Sequence, residues 1–217
     1  MPSVTLEFLT EQLELGEQIQ ARRHVMFNPQ DLPGRYGRVV KAIDHLLGVL
    51  GCEAVVADGW AVWHHGYVAR LTQDVDIVLP KDRIAEFLRL ASISGFEVIP
   101  RPDGLWPKVR HKDTDIDVDV LPEGGRPGTP ARPAPMTIGH PNTLGAMGTE
   151  LRYASLPSLI ELKLAAGRTR DENDVAELVR ANADRIEEVQ AHLAAVHSDY
   201  LREFDRLLLR ARDQEEQ

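Results

Sequence analysis

The sequence predicts an α+β fold: a short mixed β-sheet, flanking helices and a helical C-terminal region. Three observations point there. The first 50 residues carry two amphipathic helical patterns, the middle of the chain carries short alternating strands, and from Ser155 onward the pattern is helical. The shifts place N-terminal helices packing on the core at 1–50, the core at 51–150 and the helical region at 151–217.

The elements follow in order. A first helix is expected over Val4 to Val25, with Leu6, Leu9, Leu13 and Ile19 on one face. Asn28, Pro29, Asp31, Pro33 and Gly34 break it. Tyr36, Val39, Val40, Ile43, Leu46, Leu47 and Leu50 then recur at helical spacing, and Gly51 is a natural stop. Ala54 to Ala57 reads as a strand, Ala61 to His65 as a short helix, and Gln73 to Leu79 as a strand closed by Pro80. A helix over Arg83 to Ser92 puts Ile84, Phe87, Leu88 and Ile93 on a stripe. Three short strands follow, Phe96 to Ile99, Trp106 to Arg110 and Ile116 to Leu121. Pro122 to Pro135 is dense in Gly and Pro and reads as loop. Ser155 is an N-cap for a helix ending near Gly167. Ile186, Val189, Leu193, Val196, Tyr200, Phe204 and Leu207 step by three and four, close to a heptad seam. Such a seam packs either on its own domain or on a second copy, as a homodimer through the C-terminal helix.

Charge and composition narrow the function. The 217 residues hold 25 Lys+Arg and 34 Asp+Glu, a net charge of −9, which argues against coating nucleic acid in bulk. Arg101, Lys108, Arg110 and Lys112 could still form a local basic patch. No apolar run reaches the ~20 residues of a membrane span, so no membrane partner is expected. The acidic start, with Glu7, Glu11, Glu14 and Glu17, is unlike a secretory leader. A single cysteine, Cys52, excludes a disulfide framework or a multi-thiolate zinc site and fits the cytoplasm. His64 and His65 are adjacent, so they diverge on a helix and make a poor metal pair. Neither a G-x-x-x-x-G-K-[ST] loop nor G-x-G-x-x-G occurs, which removes the P-loop and dinucleotide fingerprints.

The chemistry concentrates in two acidic strands. Asp74 and Asp76 flank Val75, so both carboxylates leave one face of a strand while Val75 and Ile77 enter the core. Carboxylates ~6–7 Å apart, as a ~3.3 Å rise implies, repel one another unless a cation lies between them. Asp115, Asp117 and Asp119 share a face of the later strand and can supply a third ligand. Oxygen ligands of this kind suit Mg²⁺ or Mn²⁺. Gly59, between a strand and a helix start, would let backbone approach a phosphate.

Gly59-Trp60, thirteen residues, then Asp74-Val75-Asp76 and a later strand acid resemble the nucleotidyltransferase superfamily with its DNA-polymerase-β-like core. A nearer likeness is to small bacterial nucleotidyltransferase-like proteins related to the toxin of type IV abortive-infection systems. Their H-G…R-x-T-x-D-h-D signature is matched by His65-Gly66, Arg70, Thr72, Asp74 and Asp76. Their later L-P…K and D-x-x-D are matched by Leu156-Pro157, Lys163, Asp171 and Asp174. The resemblance spans roughly Ala54 to Leu178 and implies a nucleotidyltransferase-like core.

It implies a Mg²⁺- or Mn²⁺-dependent transfer of a nucleoside monophosphate from an NTP to an acceptor hydroxyl on RNA, protein or a small molecule. Asp74, Asp76 and Asp119 would be the catalytic, metal-holding acids, with Asp117 the rival for the third place. Gly59, Trp60, Arg70, Thr72 and Lys163 would bind the nucleotide. A toxin role adds a cognate antitoxin as partner. Trp60 stands where the family has Gly or Ser, and a bulky residue there would narrow the triphosphate site. A catalytically inactive binding module is the alternative that this substitution raises, and a metal-dependent phosphohydrolase is a third.

Overall fold

The computed structural model describes residues 5–21 and 28–215, with side chains through residue 212. Helix α1 runs Leu6–Ala21; the expected continuation at Val4 and residues 22–25 lies outside the described residues. Its inward face is Phe8, Gln12, Leu15 and Ile19 rather than the leucine set, and Leu6 and Leu13 are exposed. The helix is turned this way because Gln12 Oε1 accepts the Thr72 backbone N–H at 2.9 Å, deep in the protein. Helix α2, Gly34–Leu50, buries the expected stripe and ends at Gly51, whose φ of 58° is the left-handed cap a glycine adopts freely.

The sheet grows from alternating apolar residues. Strands β1 (Val55–Ala57) and β2 (Val75–Leu79) flank helix α3 (Asp58–His64). Next come α4 (Ile84–Ile93), β3 (Phe96–Val98), β4 (Lys108–His111) and β5 (Ile116–Pro122). The loop expected over Pro122 to Pro135 contains a small hairpin, β6 (Gly128–Thr129) and β7 (Arg132–Pro133), which the Gly/Pro density concealed. Strand β8 (Arg152–Tyr153) closes a six-stranded sheet of order β3-β4-β5-β2-β1-β8. β2 runs parallel to β5 and β1 parallel to β8, while the other neighbours are antiparallel. The sheet is therefore mixed, as expected, and β8 ties the start of the 151–217 segment to it.

Register sorts the side chains into two rows. Val56, Ile77 and Val120 are aligned across β1, β2 and β5, and all three are fully buried. The neighbouring row reads Ala57, Asp76, Asp119 and Lys108 across β1, β2, β5 and β4. Two-residue periodicity thus gives the sheet an apolar set and a charged set.

The C-terminal region comprises α5 (Leu156–Ala166), α6 (Thr169–Ala181), α7 (Ile186–Val196) and α8 (Ser198–Glu215). Ser155 caps α5, accepting the Ser158 N–H, and Gly167 ends it. α5 touches α3 and so couples this layer to the sheet. The near-heptad seam is interrupted at His197, which is extended, and α8 returns to pack against α6 and α7. Val189, Leu193, Tyr200, Phe204 and Leu207 are buried within the chain itself. The seam is spent on the protein's own core.

Candidate active site

Asp76 and Asp119 are register partners on the parallel strands β2 and β5, and Asp74 lies two residues before Asp76, immediately ahead of β2. Burial and then the charges of Asp58, Asp74 and Asp119 push the Asp76 carboxyl well above the usual carboxylate range, with Lys163 opposing. Asp74 is also raised, by burial first and then by Asp119 and Asp58, with Lys108 opposing. Four acids thus share one electrostatic neighbourhood, and Asp58 is the one the sequence reading missed.

Asp119 is held off its neighbours by cations. Arg101 Nη1 lies 3.2 Å from Oδ1, and Lys108 Nζ lies 3.0 Å from Oδ2. Lys108 also reaches Asp117 at 3.2 Å, and Arg110 pairs with Asp117 at 2.7 Å and Asp115 at 3.5 Å. The basic patch expected from Arg101, Lys108 and Arg110 is therefore neutralised by the acids of β5; Lys112 is exposed. Among the described residues, Asp58, Asp171 and Asp174 each bring one carboxylate oxygen within 4.8 Å of the others, and Asp74, Asp76 and Asp119 do not form such a group. Like charges separate, and Asp119 has nearer partners.

The Asp58 trio already contains a cation. The Lys163 ammonium pairs with Asp58, with Asp174 at 2.7 Å and with Asp171 at 3.2 Å. Arg70 reaches Asp58 at 2.7 Å and Asp174 at 3.0 Å, and Arg168 reaches Asp171 at 2.6 Å. Three carboxylates meet four cations, Arg170 standing 3.5 Å from Asp58, and Asp171 and Asp174 are sealed from solvent. Burial works to raise the Asp58 carboxyl, but Lys163 and Arg70 outweigh it and hold it well below the usual range. Asp58 adopts φ 44°, a left-handed conformation that non-glycine residues seldom take, right where β1 turns into α3. Lys163 and Arg70, the nearest of the four cations on its side chain, fix it there.

This network changes the roles expected of the nucleotide-binding set. Lys163 is 3% exposed and bonded by three acids, so its ammonium is turned inward rather than offered to a phosphate. Arg70 is buried, donating to Asp58 and to Thr72 Oγ1 at 3.1 Å. Thr72 is buried too: its carbonyl accepts the Tyr36 hydroxyl at 3.1 Å and its N–H goes to Gln12. Gly59 has no Cβ because one would strike Arg70 Nη1 and lie 2.5 Å from Thr72 Oγ1. The close approach that requires glycine comes from the protein's own side chains.

Trp60 is a correction with a clear cause. It is fully buried between Tyr36 and Trp63, with ring centroids 4.5 and 5.1 Å away. It neither faces a base nor narrows an open loop. Its indole N–H donates to the Asp74 carbonyl at 3.0 Å, while Trp63 donates to the Arg70 carbonyl at 2.7 Å. A helix starting at Asp58, three residues earlier than expected, turns Trp60 inward. The tryptophans moor the segment that delivers Asp74.

No family model and no curated protein matches this chain. Solved structures resemble it, two of them of the same protein. One is a crystal structure of ANT(2'')-Ia in complex with adenylyl-2''-tobramycin, 15% identical with a TM-score of 0.41, covering 82% of this chain and 97% of that one. The other is a solution structure of the antibiotic-resistance factor ANT(2'')-Ia, again 15% identical with a TM-score of 0.41, covering 82% and 91%.

Proposed function

We propose that the protein is a metal-dependent nucleotidyltransferase that moves a nucleoside monophosphate from an NTP to an acceptor hydroxyl. The observation that carries this reading is the register of β2 on β5, which makes Asp76 and Asp119 neighbours with Asp74 two residues away. The donor set fits a hard divalent ion. It is all carboxylate, and Asp74 and Asp76 are raised by burial first and then by the neighbouring acids, so a bound cation would favour their charged forms. Asp74, Asp76 and Asp119 would hold Mg²⁺ or Mn²⁺, which when bound supplies Lewis-acid polarisation of phosphate oxygens.

The chain's own residues orient the rest. Trp60 fixes the Asp74 carbonyl, and Arg101 and Lys108 fix the Asp119 carboxylate. Asp119 would accept the proton of the acceptor hydroxyl. The hydroxyl oxygen bonds to the α-phosphorus, the bond to the β-phosphate oxygen breaks, and pyrophosphate leaves.

Incubating cell extract with each α-labelled NTP tests the reading. Label on RNA, protein or a small molecule, absent with Asp76→Asn, supports it; release of orthophosphate or monophosphate without a labelled acceptor overturns it. A toxin role with a cognate antitoxin rests on the sequence resemblance through Arg70, Thr72, Lys163 and Asp174. A second reading, nucleotide binding without transfer, draws on the Arg101 and Lys108 ion pairs that occupy Asp119. It no longer draws on Trp60.

A further inference from the structure

With Lys163 and Arg70 buried in ion pairs, the cations left facing solvent beside the acids are Arg168 and Arg170. Each places a guanidinium nitrogen 3.5 Å from Asp58 Oδ2, and each side chain is 54% exposed. Their circumstances differ. Arg168 is forked onto Asp171 by hydrogen bonds of 2.6 and 3.0 Å, which sets the plane of its guanidinium. Arg170 makes, among the described residues, only the Asp58 ion pair and no hydrogen bond. Arginine carries five N–H donors, and 3.5 Å lies beyond ordinary hydrogen-bond range, so the Arg170 donors and those of Arg168 not held by Asp171 face solvent.

Lys163, Arg70 and Arg168 each bond closely to the Asp58, Asp171 and Asp174 carboxylates, whereas Arg170 is held there by one 3.5 Å contact alone. The pair also sits next to the acids that matter. Asp58 is close enough to raise both Asp74 and Asp76, and Arg168 feels the charge of Asp76 after those of Asp171 and Asp58.

We infer that Arg168 and Arg170 form the subsite for the β- and γ-phosphates of the nucleoside triphosphate. Asp58 Oδ2 holds the two guanidiniums in place until phosphate oxygens replace it. A polyphosphate offers several anionic oxygens in the geometry a guanidinium fork matches, where Asp58 offers one oxygen at long range. The rigid Arg168 sets the position, and the less restrained Arg170 closes on the bound chain. This inference rests on the nucleotidyl-transfer reading, because it assigns the leaving group of that reaction.

Calorimetry with inorganic tripolyphosphate and with each NTP and NMP tests it on wild type and on Arg170→Ala. Arg170 is half-exposed and its loss leaves the buried network intact, so the variant should melt with wild type. The expected result is at least a tenfold loss of tripolyphosphate and NTP affinity with NMP affinity unchanged. Wild type that binds no tripolyphosphate, or Arg170→Ala within twofold of wild type, overturns the subsite. The two readings separate in the labelling assay. Transfer from NTP with an unchanged KM in Arg170→Ala removes the subsite and keeps the enzyme. Tripolyphosphate binding lost in Arg170→Ala, with no transfer to any acceptor, keeps an anion site and removes the enzyme.

Discussion

Asp76 and Asp119 stand side by side on parallel strands, yet Asp119 is the acid that Arg101 and Lys108 claim and Asp76 the one left among like charges. That asymmetry makes the ionised Asp76 a cost to stability. An acid whose folded pKa is raised keeps its proton longer in the native state, so its contribution to stability declines as pH rises through that range.

Asp76→Asn should therefore stabilise the metal-free protein at neutral pH while abolishing transfer. A gain of ~1 kcal/mol corresponds to about 2–4 °C in Tm for a chain of this size. Loss of transfer should be roughly 100-fold or more, the scale of removing one preorganised electrostatic group. Thermal melts in chelator and α-labelled NTP assays check both. A destabilised Asp76→Asn would mean the carboxylate is satisfied by partners and is not awaiting a cation.

Lys163→Met separates structural from nucleotide-binding roles. It leaves Asp58, Asp171 and Asp174 facing one another with the lysine's charge removed, and stranding one side of a buried ion pair costs about 3–5 kcal/mol. Urea unfolding should show that loss. An unchanged unfolding midpoint would free the lysine for phosphate binding.

These contrasts explain how much could be read from the sequence. Period-two alternation encodes which residues share a strand face, so counting groups Asp74 with Asp76 and Asp115 with Asp117 and Asp119, while the choice of Asp119 among the last three comes from the resemblance; the α+β layout follows from where each period changes. Partner choice is not encoded that way. Lys163 lies 105 residues from Asp58, and an apolar helix bearing one lysine looks the same whether its ammonium meets phosphate or carboxylate. Trp60 read as part of an open loop because the start of α3 was placed three residues late, which left Trp60 outside the helix rather than packed in its first turn. The heptad spacing through Leu207 was real, but one extended residue, His197, turned a single seam into two packed helices.

Gly59→Ala tests the steric account of the β1–α3 turn. The added methyl meets Arg70 Nη1 and Thr72, both packed and bonded, so neither can withdraw cheaply. Overpacking of this kind costs ~1–3 kcal/mol. The expected outcome is a lower Tm with or without nucleotide. A variant as stable as wild type, impaired only in NTP affinity, would return Gly59 to a phosphate-approach role.

The pH dependence of stability has a separate source in His65. Burial first, and Arg185 after it, depress its pKa from 6.5 to about 4, although its ring nitrogen lies 2.8 Å from the Ala154 carbonyl. A neutral ring donates that hydrogen bond from Nε2. The unfolded chain binds the proton below pH 6.5 and the native state only near 4, so the contribution is complete above 6.5 and is lost as pH falls between those values. Its ceiling is about 3 kcal/mol at ~1.4 kcal/mol per unit. Asp58 acts lower, below the ordinary carboxylate range, and Asp74 and Asp76 act with the opposite sign. The measurement is therefore a difference: wild type and His65→Gln unfolded in urea from pH 7 to 4. Glutamine keeps a donor for Ala154 but cannot titrate, so the variant's profile should be flatter across that window. Parallel profiles would mean that His65 takes up its proton without leaving its place against Ala154.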